Sequence, residues 1–309
     1  MIPTRYSVIK RILFSFILIS LCTVVYSAVR KEFQELNNLY SKGKLDELSE
    51  AISNLKPVND EERACLGYYN AMLKTKTEDT ISAHQWLIER FPKSPYAQKS
   101  LLELGKIYIL ERKIEEATVY LRRINSTDLI ERFYWLGLCS WWQDDFATAI
   151  NNCENYLRLD PTGEFCESAY YLIAECYRAQ KKAYSALTTL IKLQNAKLPE
   201  MDEQYFYYRL GYAYELSDKL SDAVNAYRRG YELNRYSQIA YQIEDRLLEL
   251  KSRNRNIDLS FLYPYPKLQI AIAEETVADS LKTVQKIEPK PAAPIVATQP
   301  VSKQDLSIK

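Results

Sequence analysis

One histidine, six cysteines and a few adjacent carboxylates are the residues of this 309-residue chain best suited to chemistry. His84 has no second histidine to join, which excludes a metal site built on paired imidazoles. It follows Ala83 on a segment of helical periodicity, so it reads as a packing or surface residue rather than a base. Cys22, Cys65, Cys139, Cys153, Cys166 and Cys176 match no zinc spacing. Cys22 falls in the apolar N-terminal run, and the five that remain are too odd a set for a disulfide framework. They read as small buried hydrophobes, with a Cys139–Cys153 bridge left open for an oxidising compartment. Glu61-Glu62, Glu115-Glu116 and Asp144-Asp145 stand at expected helix starts or turns, where acids suit the helix dipole. Nothing apolar surrounds them in sequence to raise a carboxyl for acid catalysis. The expectation is a protein that is not an enzyme and needs no cofactor and no metal.

Composition narrows the class further. Hydrophobic residues make up 47% of the chain, enough for a substantial core. Only 7 residues are Gly, which predicts few tight turns and no Gly-rich phosphate loop. Tyr is abundant, at 25 residues, as expected where rings pack and hydroxyls meet water. The 41 basic and 40 acidic residues nearly cancel. This balance excludes the basic field that a nucleic acid partner requires.

The first 27 residues carry Arg5, Lys10 and Arg11 and no acid. Residues 12–25 are an unbroken apolar or small-residue run, and Val25-Tyr26-Ser27 places small side chains at −3 and −1 of a cleavage site. This is the layout of a secretory signal, although retention as an anchor is an alternative to cleavage. Leu21 is bulky where a lipidation signal places a small residue before its cysteine, Cys22. The chain is expected to be exported, either periplasmic or membrane-anchored facing the periplasm. Any membrane association would run through this segment.

The body repeats. Ala71 with Ala83, Gly105 with Ala117, Gly137 with Ala149, Ala174 with Ala186, and Gly211 with Ala223 form five pairs of small residues, each 12 apart. Successive anchors are separated by 34, 32, 37 and 37 residues. Small residues at fixed offsets allow two antiparallel helices to cross closely, and large apolar residues such as Phe133, Leu136, Ile150, Tyr207, Leu210, Tyr214 and Tyr227 fill the space between. Pro95, Pro161 and Pro199 follow the second helices, where proline ends a helix. A degenerate pair with Leu36, Leu39, Gly43, Leu45, Leu48 and Ile52 leads the array. Residues 237–251 read as a lone helix, with Ile239, Ala240, Ile243, Leu247 and Leu250 inward and Glu244, Asp245, Arg246 and Glu249 outward. The predicted fold is all-α: an α-solenoid of about six antiparallel helix pairs with a C-terminal capping helix.

Leu104-Gly105-Lys106-Ile107-Tyr108 with Ala117, and Leu136-Gly137 with Ala149 and Pro161, resemble the tetratricopeptide repeat (TPR) consensus, a likeness that extends over about residues 31–252. Phe91-Pro92-Lys93-Ser94-Pro95-Tyr96-Ala97 resembles the inter-repeat signature of bacterial cell-envelope TPR proteins. These include the BamD-like lipoproteins of outer-membrane assembly and the YbgF-like partners of the Tol–Pal system. The bulky Leu21 departs from the lipoprotein pattern.

The resemblance implies a concave groove lined by the first helices. Three residues before each anchor stand Tyr68, Leu102, Tyr134, Tyr171 and Tyr208. Met72, Leu138 and Tyr212 continue the stripe, Trp141 and Trp142 extend it in the third repeat, and Tyr205 in the fifth. Arg178 flanks it together with Lys99, Lys106, Glu131, Glu175 and Glu215. Such rings suit recognition, although they also serve to pack helix on helix. The implied function is a non-catalytic scaffold of the cell envelope that binds a protein or peptide in this groove. The alternatives are an accessory of outer-membrane assembly or of cell division and the cell wall, anchored by its N-terminus, or a structural spacer. The expected organisation is a signal or anchor at 1–27, a solenoid at 28–254, a short extension at 255–287 and a proline-rich disordered tail at 288–309. Within the extension, 267–273 alternates like a strand and 274–287 reads as a helix.

Overall fold

The computed structural model describes residues 30–262. The expected signal segment, and the strand-like, helix-like and proline-rich readings of the tail, lie outside the described residues. Within them are thirteen helices and no strand. The chain forms two compact units, one ending at Cys176 and the other starting at Tyr177. The first unit holds α1 (Lys31–Ser41), α2 (Leu45–Asn54), α3 (Asp60–Met72), α4 (Thr77–Arg90), α5 (Pro95–Leu110), α6 (Ile114–Arg122), α7 (Arg132–Trp142), α8 (Phe146–Leu159) and most of α9 (Cys166–Ala179). The second holds the end of α9, then α10 (Ala183–Ala196), α11 (Glu203–Leu216), α12 (Leu220–Leu233) and α13 (Gln238–Arg253). Five pairs of consecutive helices pack together as the spacing predicts, α1 with α2, α3 with α4, α5 with α6 and α7 with α8 in the first unit and α11 with α12 in the second, and α13 stands last.

Local chemistry starts the helices. Asn59, Ser94, Asp145, Asp202 and Ser237 each accept a backbone N–H through the side chain at a helix N-terminus. Pro95 opens α5, where a missing N–H costs nothing. The expectation of few tight turns fails. Five first helices pass to their second helices through three-residue links whose central residue is left-handed: Gly43, Arg112, Asp144, Lys181 and Asp218. In each link the next N–H reaches back to the carbonyl five residues earlier, as Lys113 N does to Tyr108 O at 2.9 Å and Asp145 N to Ser140 O at 2.9 Å. This satisfies helix-end carbonyls and stops the helix in one turn. Four of the five use a residue with a Cβ, which is why a low glycine count did not reveal them.

Close crossings sit at the predicted small residues, with a refinement. A Cβ at Gly105 would lie 2.5 Å from Leu121, one at Gly211 2.5 Å from Tyr227, and one at Gly137 2.7 Å from the Cys153 sulfur and 3.2 Å from the Ala149 carbonyl. The tightest contact is therefore one turn beyond the expected alanine. Ala117, Ala149 and Ala223 are nevertheless fully buried. Ala83 is the exception: it is half-buried and borders a cleft. The five described cysteines are buried and free, so Cys139 and Cys153 pack rather than bridge.

First helices also pack on one another, α1 on α3, α3 on α5 and α5 on α7 in the first unit, and α11 on α13 in the second. Arg30 ties the start of α1 to α3, its guanidinium donating to both Glu62 carboxylate oxygens at 2.8 and 3.0 Å. Glu62 has no exposed surface, but it is covered by that guanidinium rather than sunk deep in the core. The Arg30 bond holds its carboxyl down at about 2. Arg30→Ala uncovers the carboxylate and removes its partner. A lower urea-unfolding midpoint at neutral pH is expected.

The capping helix behaves as predicted on its apolar face: Ala240, Ile243 and Leu247 are fully buried, and Ile257 and Leu262 close the core beyond it. Arg246 does not. It turns toward α11 and pairs with Glu215.

Candidate functional site

The predicted groove residues separate into two groups. Tyr68, Leu102, Tyr134, Leu138, Trp141 and Tyr171 are buried. The physical cause is the packing of neighbouring first helices. Tyr68 of α3 lies edge-on to Tyr69 at 5.2 Å and tilts against Tyr96 of α5 at 5.9 Å. Tyr134 stacks on Phe165 at 4.7 Å. Burial raises the Tyr134 hydroxyl to about 12, consistent with a packing ring. These six residues are core, and the expectation that they present a recognition surface is corrected. Met72 is half-buried and Arg178 exposed.

What the first-helix face of the first unit presents instead is a charged and aromatic cluster. Tyr40, Tyr96, Lys99, Glu103, Lys106 and Glu131 are all half-buried. Lys106 Nζ lies 3.4 Å from Glu103 and 3.0 Å from Glu131, and 5.7 Å from the Trp135 ring centroid. The Trp135 indole N–H donates to Glu131 at 3.1 Å. Lys99 sits over the Tyr96 and Tyr68 rings at 5.4 and 5.9 Å. Burial raises the Glu103 carboxyl. Burial also pulls the Lys106 ammonium down, but its two carboxylates outweigh that and raise it overall. Lys99, Lys106 and Glu131 were legible as charges flanking the repeat anchors. Glu103 carried one local signal, its i,i+3 spacing from Lys106. Tyr40 and Trp135 carried none.

Tyr205, Tyr208 and Tyr212 occupy one face of α11 at spacings of three and four, and all three are half-buried. Arg209 donates to the Tyr205 hydroxyl oxygen at 2.8 Å. The Arg246 guanidinium lies 5.1 Å from the Tyr212 ring centroid. Glu215 joins Arg246 to Tyr227, whose hydroxyl donates to it at 3.2 Å. Arg246 was invisible to the sequence because its partner stands 31 residues away. Among the described residues no three histidine, cysteine, aspartate or glutamate side chains gather to hold a metal ion.

A tetratricopeptide repeat family model matches residues 205–236, the α11–α12 pair that carries this tyrosine face. The fold is that of a tetratricopeptide solenoid. The C-terminal part of a TPR repeat-containing protein from Cytophaga hutchinsonii superposes with a TM-score of 0.56 at 16% identity, over 72% of this chain and 89% of that one. PilF of Pseudomonas aeruginosa superposes at 0.54 with 14% identity, over 70% of this chain and 96% of that one. The Cut9–Hcn1 hetero-tetramer structure of the APC/C gives 0.51 at 16% identity, over 70% of this chain and 42% of that one. At these identities the likeness is one of TPR fold. No curated protein sequence matches the chain.

Proposed function

We propose that this protein is a non-catalytic scaffold of the cell envelope that captures a protein or peptide partner on its first-helix faces. Tetratricopeptide repeats generally mediate protein–protein interactions, using the surface that successive first helices line. The observation that carries the reading is the α11 face, where three half-buried tyrosines stand beside the Arg209 and Arg246 guanidiniums and the Glu215 carboxylate. Rings with two side-chain torsions bring large contact area at little entropic cost, and nearby guanidiniums orient carbonyl or carboxylate groups of a partner. The envelope setting is supported by the charged, apolar N-terminal segment and by the resemblance of residues 91–97 to envelope TPR proteins.

The test is capture from detergent-solubilised membranes with the full chain as bait. Wild type should retain one stoichiometric envelope partner. Tyr205→Ala, Tyr208→Ala and Tyr212→Ala combined should reduce recovery about tenfold or more while circular dichroism shows unchanged helicity. Equal recovery by the triple variant would remove the reading. Tyr134→Ala or Trp141→Ala cannot serve here, because each empties a core position and lowers stability first.

A further inference from the structure

The second helix pair carries a feature on its other side. At about 3.6 residues per turn, Arg63 and Leu66 fall on the side of α3 opposite Tyr68, and Gly67 lies beside them. With Ala83, Trp86 and Arg90 of α4 and Phe91 beyond it, they line a cleft of about 510 Å³. That volume is within the range of ligand-binding clefts. Trp86 is 53% exposed although it is the largest apolar side chain of α4. It meets Phe91 edge-on at 5.7 Å, so the two rings form an apolar wall. Gly67 forms the opposite side, where an added Cβ would already touch Leu87 at 3.2 Å and Trp86 at 3.5 Å.

The charge on this cleft has one sign. Among the described residues no carboxylate lines it, while Arg63 and Arg90 both do. Arg63 bonds Asp60 at 2.6 Å, but both side chains are more than half exposed, and such an ion pair exchanges readily. Arg90 makes no ion pair or hydrogen bond among the described residues. An aromatic wall beside two guanidiniums, one of them uncompensated, complements an apolar side chain next to a carboxylate.

We infer that this cleft is a second docking site, which takes a peptide whose apolar side chain enters against Trp86 and Phe91 while its adjacent acidic residue meets Arg90 and Arg63. The site lies within one helix pair, and it does not depend on the α11 face.

Fluorescence anisotropy with the full chain tests this. The probes are two labelled octapeptides, one with a central Phe-Leu followed by Asp-Asp, the other with Asn-Asn in place of the acids. The acidic peptide should saturate wild type, and the Asn-Asn peptide should bind about tenfold more weakly. Trp86→Ala should weaken acidic-peptide binding about tenfold or more, and Arg90→Glu likewise, with Arg90→Glu leaving the Asn-Asn peptide unaffected. Both residues are exposed, so both variants should keep wild-type helicity. The α11 triple tyrosine variant should bind the acidic peptide as wild type does, which separates this site from the α11 face. Equal binding of the two peptides, indifference to Trp86→Ala, or no saturable binding would overturn the inference. So would a concentration-dependent dimer in sedimentation velocity that Trp86→Ala abolishes, since the occupant would then be a second copy of the chain.

Discussion

Gly211→Val is expected to destabilise the second unit by about 3 kcal/mol. In an unstrained helix the exchange would be mildly favourable, because glycine is a poor helix former. Here a Cβ at 211 would stand 2.5, 2.6 and 2.9 Å from three ring atoms of Tyr227. The ring has no room to retreat: it is fully buried and its hydroxyl is bonded to Glu215 at 3.2 Å. The α11–α12 crossing must therefore open, and apolar contacts along both helices are lost with it. A fall in melting temperature of about 10 °C should be seen by circular dichroism. Adding Tyr227→Leu to Gly211→Val should recover part of the loss, and that positive coupling identifies the crossing as the cause. Unchanged melting would show that the helices do not meet there. Gly137→Val should be at least as damaging, because one of its neighbours is the Ala149 backbone carbonyl, which cannot rotate away.

Acidification should produce the second large effect, in two stages. His84 is completely buried, with its Nδ1 2.9 Å from the Ser100 hydroxyl and its Nε2 lacking a partner among the described residues. Burial lowers its pKa from 6.5 to about 4. The folded chain therefore resists a proton that the unfolded chain accepts. Stability is full above pH 6.5 and falls as pH drops toward 4, by about 3 kcal/mol in all. Glu62 follows at lower pH. Its folded carboxyl titrates at about 2 against an ordinary 4.5, so the stability it contributes is present above 4.5 and is lost as pH falls through 2. Urea unfolding midpoints taken from pH 7 to pH 3 should show the first stage, and His84→Gln should flatten the region between 6.5 and 4. If His84→Gln and wild type keep parallel profiles there, the imidazole is not the group responsible.

Much of the architecture was legible before any coordinates. Small residues 12 apart, recurring every 32 to 37 positions, have few physical explanations other than stacked helix pairs. The first pair was recoverable from apolar spacing alone, and α13 from its apolar face with Ser237 before it. The candidate site was less legible. Six of the predicted groove residues turned out to be core, because periodicity places a residue on a helix face but does not say how close the next helix stands. Tyr68 and Tyr208 occupy equivalent repeat positions. Tyr68 is covered by Tyr96 of the following first helix, whereas Tyr208 remains half-buried.

Sequence alone determined what is local and periodic: all-helical elements, their pairing and their order. It did so because helix period, capping side chains and small-residue spacing are written within a few turns of chain. Tertiary structure decided which aromatic rings are walls and which are surfaces. It also decided that Arg246 faces Glu215, that Glu62 is sealed by Arg30, and that Ala83 opens onto a cleft beside Trp86. Those outcomes depend on partners about 30 residues apart or on different helices, and exposure is settled only when the neighbouring helix has taken its place.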